Sequence, residues 1–539
     1  MQDALDVLER TDYERARAGF AWSVPPRYNM AAQACDGWAA RAPDRPALFT
    51  VAGDTLSPLT YGDLAQASNR LARGLAAKGV QAGDRVAILA PQSPDVLVSH
   101  LALYKLNAIA VPLASVFGVE AIRYRLEDSG AKALIADAAG LAKVAEPPHS
   151  LSLRICLDGA APGIESFARL MEGQDAAPLP FTSSADDPAL MIYTSGTTGR
   201  PKGALHAHRV LIPHVTGQTY THGFPGQQGD RMWTPSDWAW AGGLLNTVLP
   251  SLVHGVPVVV QPAGKFDPEA AFALLATAEI RNVFIPPTAL KMMRAVPRPR
   301  ARYGFDLRSV GSAGEALGAE TFAWGREALG VPVNEFYGQT ECNYVIGSCA
   351  QMGVARAGAT GKPIPGHDVV LLRDDGTRCA PGEMGQIAVR APNPVMFLGY
   401  WNRPEATAEK LRGGYMLTGD MAQMDDDGYI FFQGRDDDII TSAGYRIGPT
   451  EIEDVILRHP DVALAAVVGV PDPVRTEIVK AFLVLKPGRE PSVALEAEIQ
   501  QIVRETLAGY EYPRAFAYLD ALPMTSTGKI IRRALRDMA

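Results

Sequence analysis

Residues 193–203 read YTSGTTGRPKG: three glycines, three threonines, a serine, an arginine, a lysine and one proline after an apolar run. Glycines let a backbone approach an anion closely, hydroxyls and amides donate to it, and Lys202 adds charge. That is the chemistry of a phosphate grip. The ATPase P-loop needs a hydroxyl residue directly after its lysine to hold magnesium, but Gly203 follows Lys202 here. Pro201 would also interrupt the amide-rich helix entry that wraps phosphates in that motif. The kinase G-x-G-x-x-G pattern is absent from the loop, as are H-R-D and D-F-G from the chain. A plain surface turn is the bland alternative, and so many hydroxyls around three glycines weigh against it. The loop chemistry alone leaves the reaction open.

Five further segments carry reactive side chains: GSAGEAL (311–317), EFYGQTE (335–341), LTGD (417–420), GRDDDIITSAGYRIGPTEIE (434–453) and LPMTSTGKIIRRALR (522–536). Together with the loop, and in this order, they closely resemble the signature segments of the adenylate-forming synthetases: acyl-CoA synthetases, peptide-synthetase adenylation domains and luciferases. The stretch 59–88, LTYGDLAQASNRLARGLAAKGVQAGDRVAI, resembles the amino-terminal portion of that family, so the likeness covers nearly the whole chain.

The resemblance implies two half-reactions. ATP and a carboxylate form an acyl-adenylate and pyrophosphate, and a thiol then attacks the activated carbonyl. Two anions must be brought together and the charge growing on the phosphoryl oxygens stabilised. By the resemblance, Thr194, Ser195, Gly196, Thr197, Thr198, Gly199 and Lys202 form the β- and γ-phosphate loop, which also helps pyrophosphate leave. Gly314, Glu315 and Ala316 match the adenine-side segment, with Tyr337 as the face that stacks on the base. Thr340 is the implied α-phosphate donor and Glu341 the implied Mg²⁺ ligand, with phosphates and water completing the shell. Asp420 is the implied acceptor for the ribose hydroxyls and Arg435 the second ribose contact. Lys529 stands where the family places the catalytic lysine that bridges carboxylate and α-phosphate. Asp437 matches the hinge of a domain rotation between half-reactions, after which Gly444 and Arg446 border the passage for coenzyme A.

YGQTE and TSAGYRIGP resemble the medium-chain acyl-CoA synthetase branch most. No carrier-domain serine motif or condensation-like region accompanies them, which favours free coenzyme A over a carrier-protein thiol. A stand-alone adenylation enzyme loading a carrier is the alternative. Segment 233–255 falls at part of the acyl pocket: Trp238 and Trp240 would shape it, and Gly242 and Gly243 leave room, although alternating aromatics also suit a core. Gly338 is a further pocket residue, and Cys342, Asn343 and Tyr344 would stand beside the carboxylate end, favouring a short- to medium-chain, branched or aromatic acid.

These groups need a scaffold. The chain of 539 residues is 47% hydrophobic and 20% charged, enough for more than one domain. Short branched-rich runs at 84–90, 131–137, 189–193, 255–261 and 281–286 alternate with helical stretches, as in parallel α/β architecture. Between about 366 and 433, strands joined by Asp-Gly turns predict a small β-rich part. The remainder alternates helix and strand in a pattern for a compact α+β domain. The expected organisation is an α/β, multi-subdomain adenylation domain with mixed sheets over 1–435 and a small mobile domain over 436–539 that carries Lys529.

A formal net charge of -8 argues against a general nucleic-acid binder. Five scattered cysteines argue against a disulfide scaffold or structural zinc site. No stretch reaches membrane-span length or has signal-peptide character, so a cytoplasmic enzyme is expected. A homo-oligomer is compatible with the sequence.

Overall fold

The computed structural model describes residues 12–53, 55–159, 162–194, 200–261, 264, 266–442, 445–507, 511–525 and 529–539. A large N-terminal α/β domain is built on two mixed sheets, with a third, antiparallel sheet beside them and a smaller C-terminal domain around a fourth.

The expected short strands form. Arg85–Leu89, Ala133–Ala136, Ile109–Pro112 and Pro188–Thr194 belong to an eight-stranded sheet, and Val258–Val260 and Asn282–Phe284 to a nine-stranded one. Their β-branched and small apolar residues are buried on both faces, which parallel strands covered by helices require. One core joins the sheets: Val86, Ile88 and Ile192 from the first and Leu48, Val258 and Val260 from the second meet the helices Tyr61–Ala77, Pro94–Lys105 and Leu211–Thr221. Local chemistry starts the first two of these helices. Thr60 and Asp63 form a reciprocal capping box, and Ser93 caps a helix that begins at Pro94.

Both sheets end alike. Parallel pairing gives way to an antiparallel hairpin, Pro188–Thr194 with Lys202–Ala207 in the first and Val333–Gln339 with Cys342–Gly347 in the second. The glycine-rich loop and the YGQTE segment sit at these hairpins, so each reactive segment is fixed at both ends by strand pairing.

The β-rich part is antiparallel, as expected: Val369–Leu372, Met384–Arg390, Tyr415–Met424 and Ile430–Arg435. Its Asp-Gly turns close locally, with Gly376 at φ 83 and Gly428 at φ 80, where a side chain would be strained. The C-terminal sheet pairs Val462–Asp472 with Thr476–Leu485, against which helices Pro449–Ile456 and Val493–Thr506 bury Ile452, Val455, Ile456, Ile499 and Val503. No helix among the described residues is long and apolar enough to cross a membrane.

Candidate active site

Thr194 pairs with Lys202 across the first hairpin, and its hydroxyl donates to the Lys202 carbonyl at 3.5 Å. Ser195, Gly196, Thr197, Thr198 and Gly199 lie outside the described residues. Behind the hairpin, the Tyr193 hydroxyl donates to Asp128 Oδ2 at 2.8 Å, and Asp128 Oδ1 accepts from Arg403 at 2.9 Å. Tyr124 donates to the Pro201 carbonyl at 2.9 Å. Both ends of the loop are therefore moored to one helix, Val119–Ser129. Burial and then the Asp128 carboxylate push the Tyr193 phenol up, which keeps it a donor.

Lys202 lies 5.2 Å from the ring centroid of Tyr400, and the Tyr400 hydroxyl donates to Glu341 Oε1. One tyrosine thus meets a cation with its face and a carboxylate with its tip. Sequence reasoning missed Tyr400. It reaches the site because Gly399–Tyr400 pairs with the hairpin strand at Ala204 and Leu205.

The second hairpin supplies Tyr337, Gly338 and Gln339, then turns through half-buried Thr340 and buried Glu341. A Cβ on Gly338 would stand 2.5 Å from Asn343 Cα, so only glycine lets the return strand pass that closely. Asp420, on the central strand of the antiparallel sheet, is buried and collects donors. Its Oδ2 accepts from the Tyr337 hydroxyl at 2.5 Å and from Gln339 Nε2 at 2.6 Å, and its Oδ1 from Arg435 at 3.3 Å. Arg435 is its cross-strand partner. Desolvation and then Asp420 push the Tyr337 phenol up. A buried carboxylate needs such donors to remain charged.

A second missed residue joins this cluster. Lys410 ends the helix Pro404–Lys410, and its ammonium donates to the Thr418 carbonyl at 3.0 Å and to Gln339 Oε1 at 3.3 Å. Burial holds this amine below the ordinary lysine value, against the opposing pull of Glu341. No motif marks it.

Gly314 follows the strand Ser309–Ser312 at φ 104, and a Cβ there would stand 3.9 Å from Lys529 Cε. The Lys529 amide donates to Thr525 Oγ1 at 3.1 Å, and Residues 526–528 lie outside the described residues. Glu315 accepts from the Thr288 hydroxyl at 2.7 Å. Loss of hydration raises its carboxyl, while Lys291, Thr288, Lys529 and Arg532 pull it down. Ala316 is half-buried beside it. A cation from the small domain therefore stands at the Gly314–Glu315 segment of the large one.

Asp436–Asp438 forms a single 3₁₀ turn at the junction. Asp437 Oδ1 faces Arg435 Nε at 3.5 Å, its carbonyl accepts from Arg536 at 2.9 Å, and Arg536 also donates to the Asp438 carboxylate. Gly444 and the side chain of Arg446 lie outside the described residues; the Arg446 backbone pairs with Thr441.

Residues expected at an acyl pocket separate. Trp238 is 2% exposed and belongs to the core between the sheets. Trp240 is half-buried, edge-on to Phe117 at 5.6 Å. A Cβ on Gly242 would meet Phe284 at 3.0 Å, and one on Gly243 would meet the Asp237 carbonyl at 2.5 Å. Asn343 donates to Asn246 Oδ1 at 2.7 Å, both side chains being buried. Tyr344, at φ 55, stacks on Phe336 with centroids 4.1 Å apart. Cys342 is buried in the core beside Ala204, Val345 and Met396.

Among the described residues no group of three or more His, Cys, Asp or Glu side chains could hold a metal ion. Glu341, with Oε1 engaged by Tyr400, fits one position in the shell of a divalent cation that draws its other ligands from phosphates and water.

The sequence model of the AMP-binding enzyme family matches residues 35–401, and that of the AMP-binding enzyme C-terminal domain matches 451–529. The acetyl-coenzyme A synthetase of Bacillus subtilis (strain 168) is 35% identical over 495 residues, 88% of this chain and 84% of that protein. The mitochondrial acyl-coenzyme A synthetase ACSM2B of Homo sapiens is 33% identical over 533 residues, 95% of this chain and 91% of its own. Among solved structures, the anthranilate CoA ligase AuaEII in complex with anthranoyl-AMP superposes with a TM-score of 0.88 at 28% identity, covering 96% of this chain and 98% of that one. The chain belongs to the AMP-binding enzyme family and is an AMP-forming ligase that works through an acyl-adenylate.

Proposed function

We propose that the protein is an ATP-dependent carboxylate–CoA ligase of the medium-chain acyl-CoA synthetase branch. It converts a short- to medium-chain, branched or aromatic acid to its acyl-CoA, with AMP and pyrophosphate as co-products. The observation that carries this reading is the approach of Lys529 to Gly314, together with a buried carboxylate, Asp420, loaded with Tyr337, Gln339 and Arg435. A cation there can hold two anions, the acid and the α-phosphate, in line for attack.

In this reading Tyr337 and the 314–316 segment flank the base, and Asp420 and Arg435 take the ribose. Thr340 donates to the α-phosphate, and the 194–202 loop holds the outer phosphates. Mg²⁺ bound with Glu341 would supply charge neutralisation on the phosphates. The acid's nucleophilic oxygen attacks the α-phosphorus, the bond to the β-phosphate bridging oxygen breaks, and pyrophosphate leaves with that electron pair. Tyr400 keeps Glu341 and Lys202 in register, which suits a loop that must release pyrophosphate.

We place the domain boundary at 435/436 and the hinge at Asp437, and the small domain turns about it to admit coenzyme A past Gly444 and Arg446. The names of these relatives, which contain coenzyme A synthetase or CoA ligase, favour free coenzyme A over a carrier protein. The test is a panel of carboxylic acids with pyrophosphate release and acyl-CoA formation measured separately. Acid-dependent pyrophosphate release with thioester formed only on a carrier protein would overturn the coenzyme A assignment.

A further inference from the structure

We infer that Lys410 is a positioning residue for the nucleotide: its ammonium holds the Gln339 amide in the one orientation that lets it donate to Asp420. The inference rests on the reading of Asp420 as the ribose acceptor.

A primary amide can turn over at almost no steric cost, because its oxygen and nitrogen are nearly the same size. In the observed orientation both hydrogens of Gln339 Nε2 are used, one on Asp420 Oδ2 at 2.6 Å and one on the Thr418 carbonyl at 2.8 Å. The amide oxygen faces Lys410 at 3.3 Å. Turned over, that oxygen would meet a carboxylate and a carbonyl, and the amide hydrogens would meet an ammonium. An ammonium donates only, so it tolerates one of the two states.

Lys410 is itself fixed, because the same Thr418 carbonyl accepts from it at 3.0 Å. Asp420 Oδ2 is then shared by Tyr337 and Gln339, which sets the rotation of the carboxylate and leaves Oδ1 toward Arg435. The chain of contacts runs Lys410, Gln339, Asp420, with the lysine on a helix that carries none of the signature segments.

Steady-state kinetics on the full-length enzyme test this. Lys410→Met is expected to raise the KM for ATP about 10-fold, the value of one well-placed hydrogen bond to a charged group, with kcat within about twofold and the KM for acid unchanged. Lys410→Gln, which both donates and accepts, should behave the same way, and Lys410→Arg, a donor-only cation, should recover most of the affinity. With 2′,3′-dideoxy-ATP, which lacks both ribose hydroxyls, wild type and Lys410→Met should share one KM. In a Gln339→Leu background, Lys410→Met should add less than about twofold.

An unchanged KM for ATP in both Lys410→Met and Lys410→Gln would overturn the inference. So would a rise that persists with the dideoxy analogue, or one that is additive with Gln339→Leu. Asp420→Ala separates the two levels. If it leaves the KM for ATP unchanged, the ribose reading falls and the inference with it; if it raises the KM while Lys410→Met does not, the inference alone falls.

Discussion

Lys529 of the small domain stands against Gly314 of the large one, its Cε 3.9 Å from the position a Cβ would take on the glycine. Gly314 is at φ 104, a conformation that side chains rarely adopt, so this position needs glycine for its backbone. With Lys529 as the bridge between the acid and the α-phosphate, Lys529→Ala should lower carboxylate-dependent ATP–pyrophosphate exchange by about 100-fold or more. Thioester formation from a supplied acyl-adenylate should survive much better. Equal loss of both steps would remove Lys529 from the adenylation role.

Asp437 is held from two sides, by Arg435 on its carboxylate and by Arg536 on its carbonyl. The proposed rotation about this residue would change its dihedral angles, and proline would fix φ near about −65°. Asp437→Pro is expected to cut acyl-CoA formation from a supplied adenylate by about tenfold more than it cuts pyrophosphate exchange. Parallel losses in the two assays would place the hinge elsewhere.

Tyr400 offers its ring to Lys202 and its hydroxyl to Glu341. Tyr400→Phe keeps the ring and removes the donor, so the Mg²⁺ concentration for half-maximal rate should rise about threefold while the KM for ATP holds. Tyr400→Leu removes both contacts and should raise the KM for ATP as well. Identical kinetics in the two variants would show that ring and hydroxyl do not act separately.

Seven of the nine histidines are held below the ordinary value by burial. His100, His206, His222 and His367 are lowered to about 3, and His208, His214 and His254 to about 4. Their folded values lie below the unfolded one, so the unfolded chain takes up protons first. Stability from these groups is complete above about pH 6.5 and is lost as pH falls toward 4, at about 1.4 kcal/mol per pH unit for each histidine. Glu335, raised to about 7 by burial, acts in the opposite sense between pH 4.5 and 7 and offsets one of the seven. Denaturant titrations at pH 7.5, 6 and 5 should show the midpoint falling steeply below pH 6.5. A flat profile would contradict the neutral, buried state of these rings, and His367→Phe should shallow the slope.

The amino-acid sequence by itself determined the chemistry and the architecture. Residue types within short segments, such as Tyr337 to Glu341 or Thr418 to Asp420, are set by local strand and turn geometry, and their order along the chain identified the family. The alternation of buried strands and amphipathic helices marked the α/β domain, the Asp-Gly turns the antiparallel part, and the last hundred residues the small domain. Only the tertiary structure decided which side chains meet. Trp238 and Trp240 are two residues apart and look alike in sequence, yet one is in the core and the other half-buried against Phe117. Tyr400 enters the site through an edge-strand pairing with Ala204, and Lys410 through a contact with Gln339, 71 residues away. Neither carries a local signature, because a lysine or tyrosine in a short polar segment gains its role from what packs against it. Spacing along the chain reports a period, whereas burial and a hydrogen-bond partner are properties of the assembled sheets.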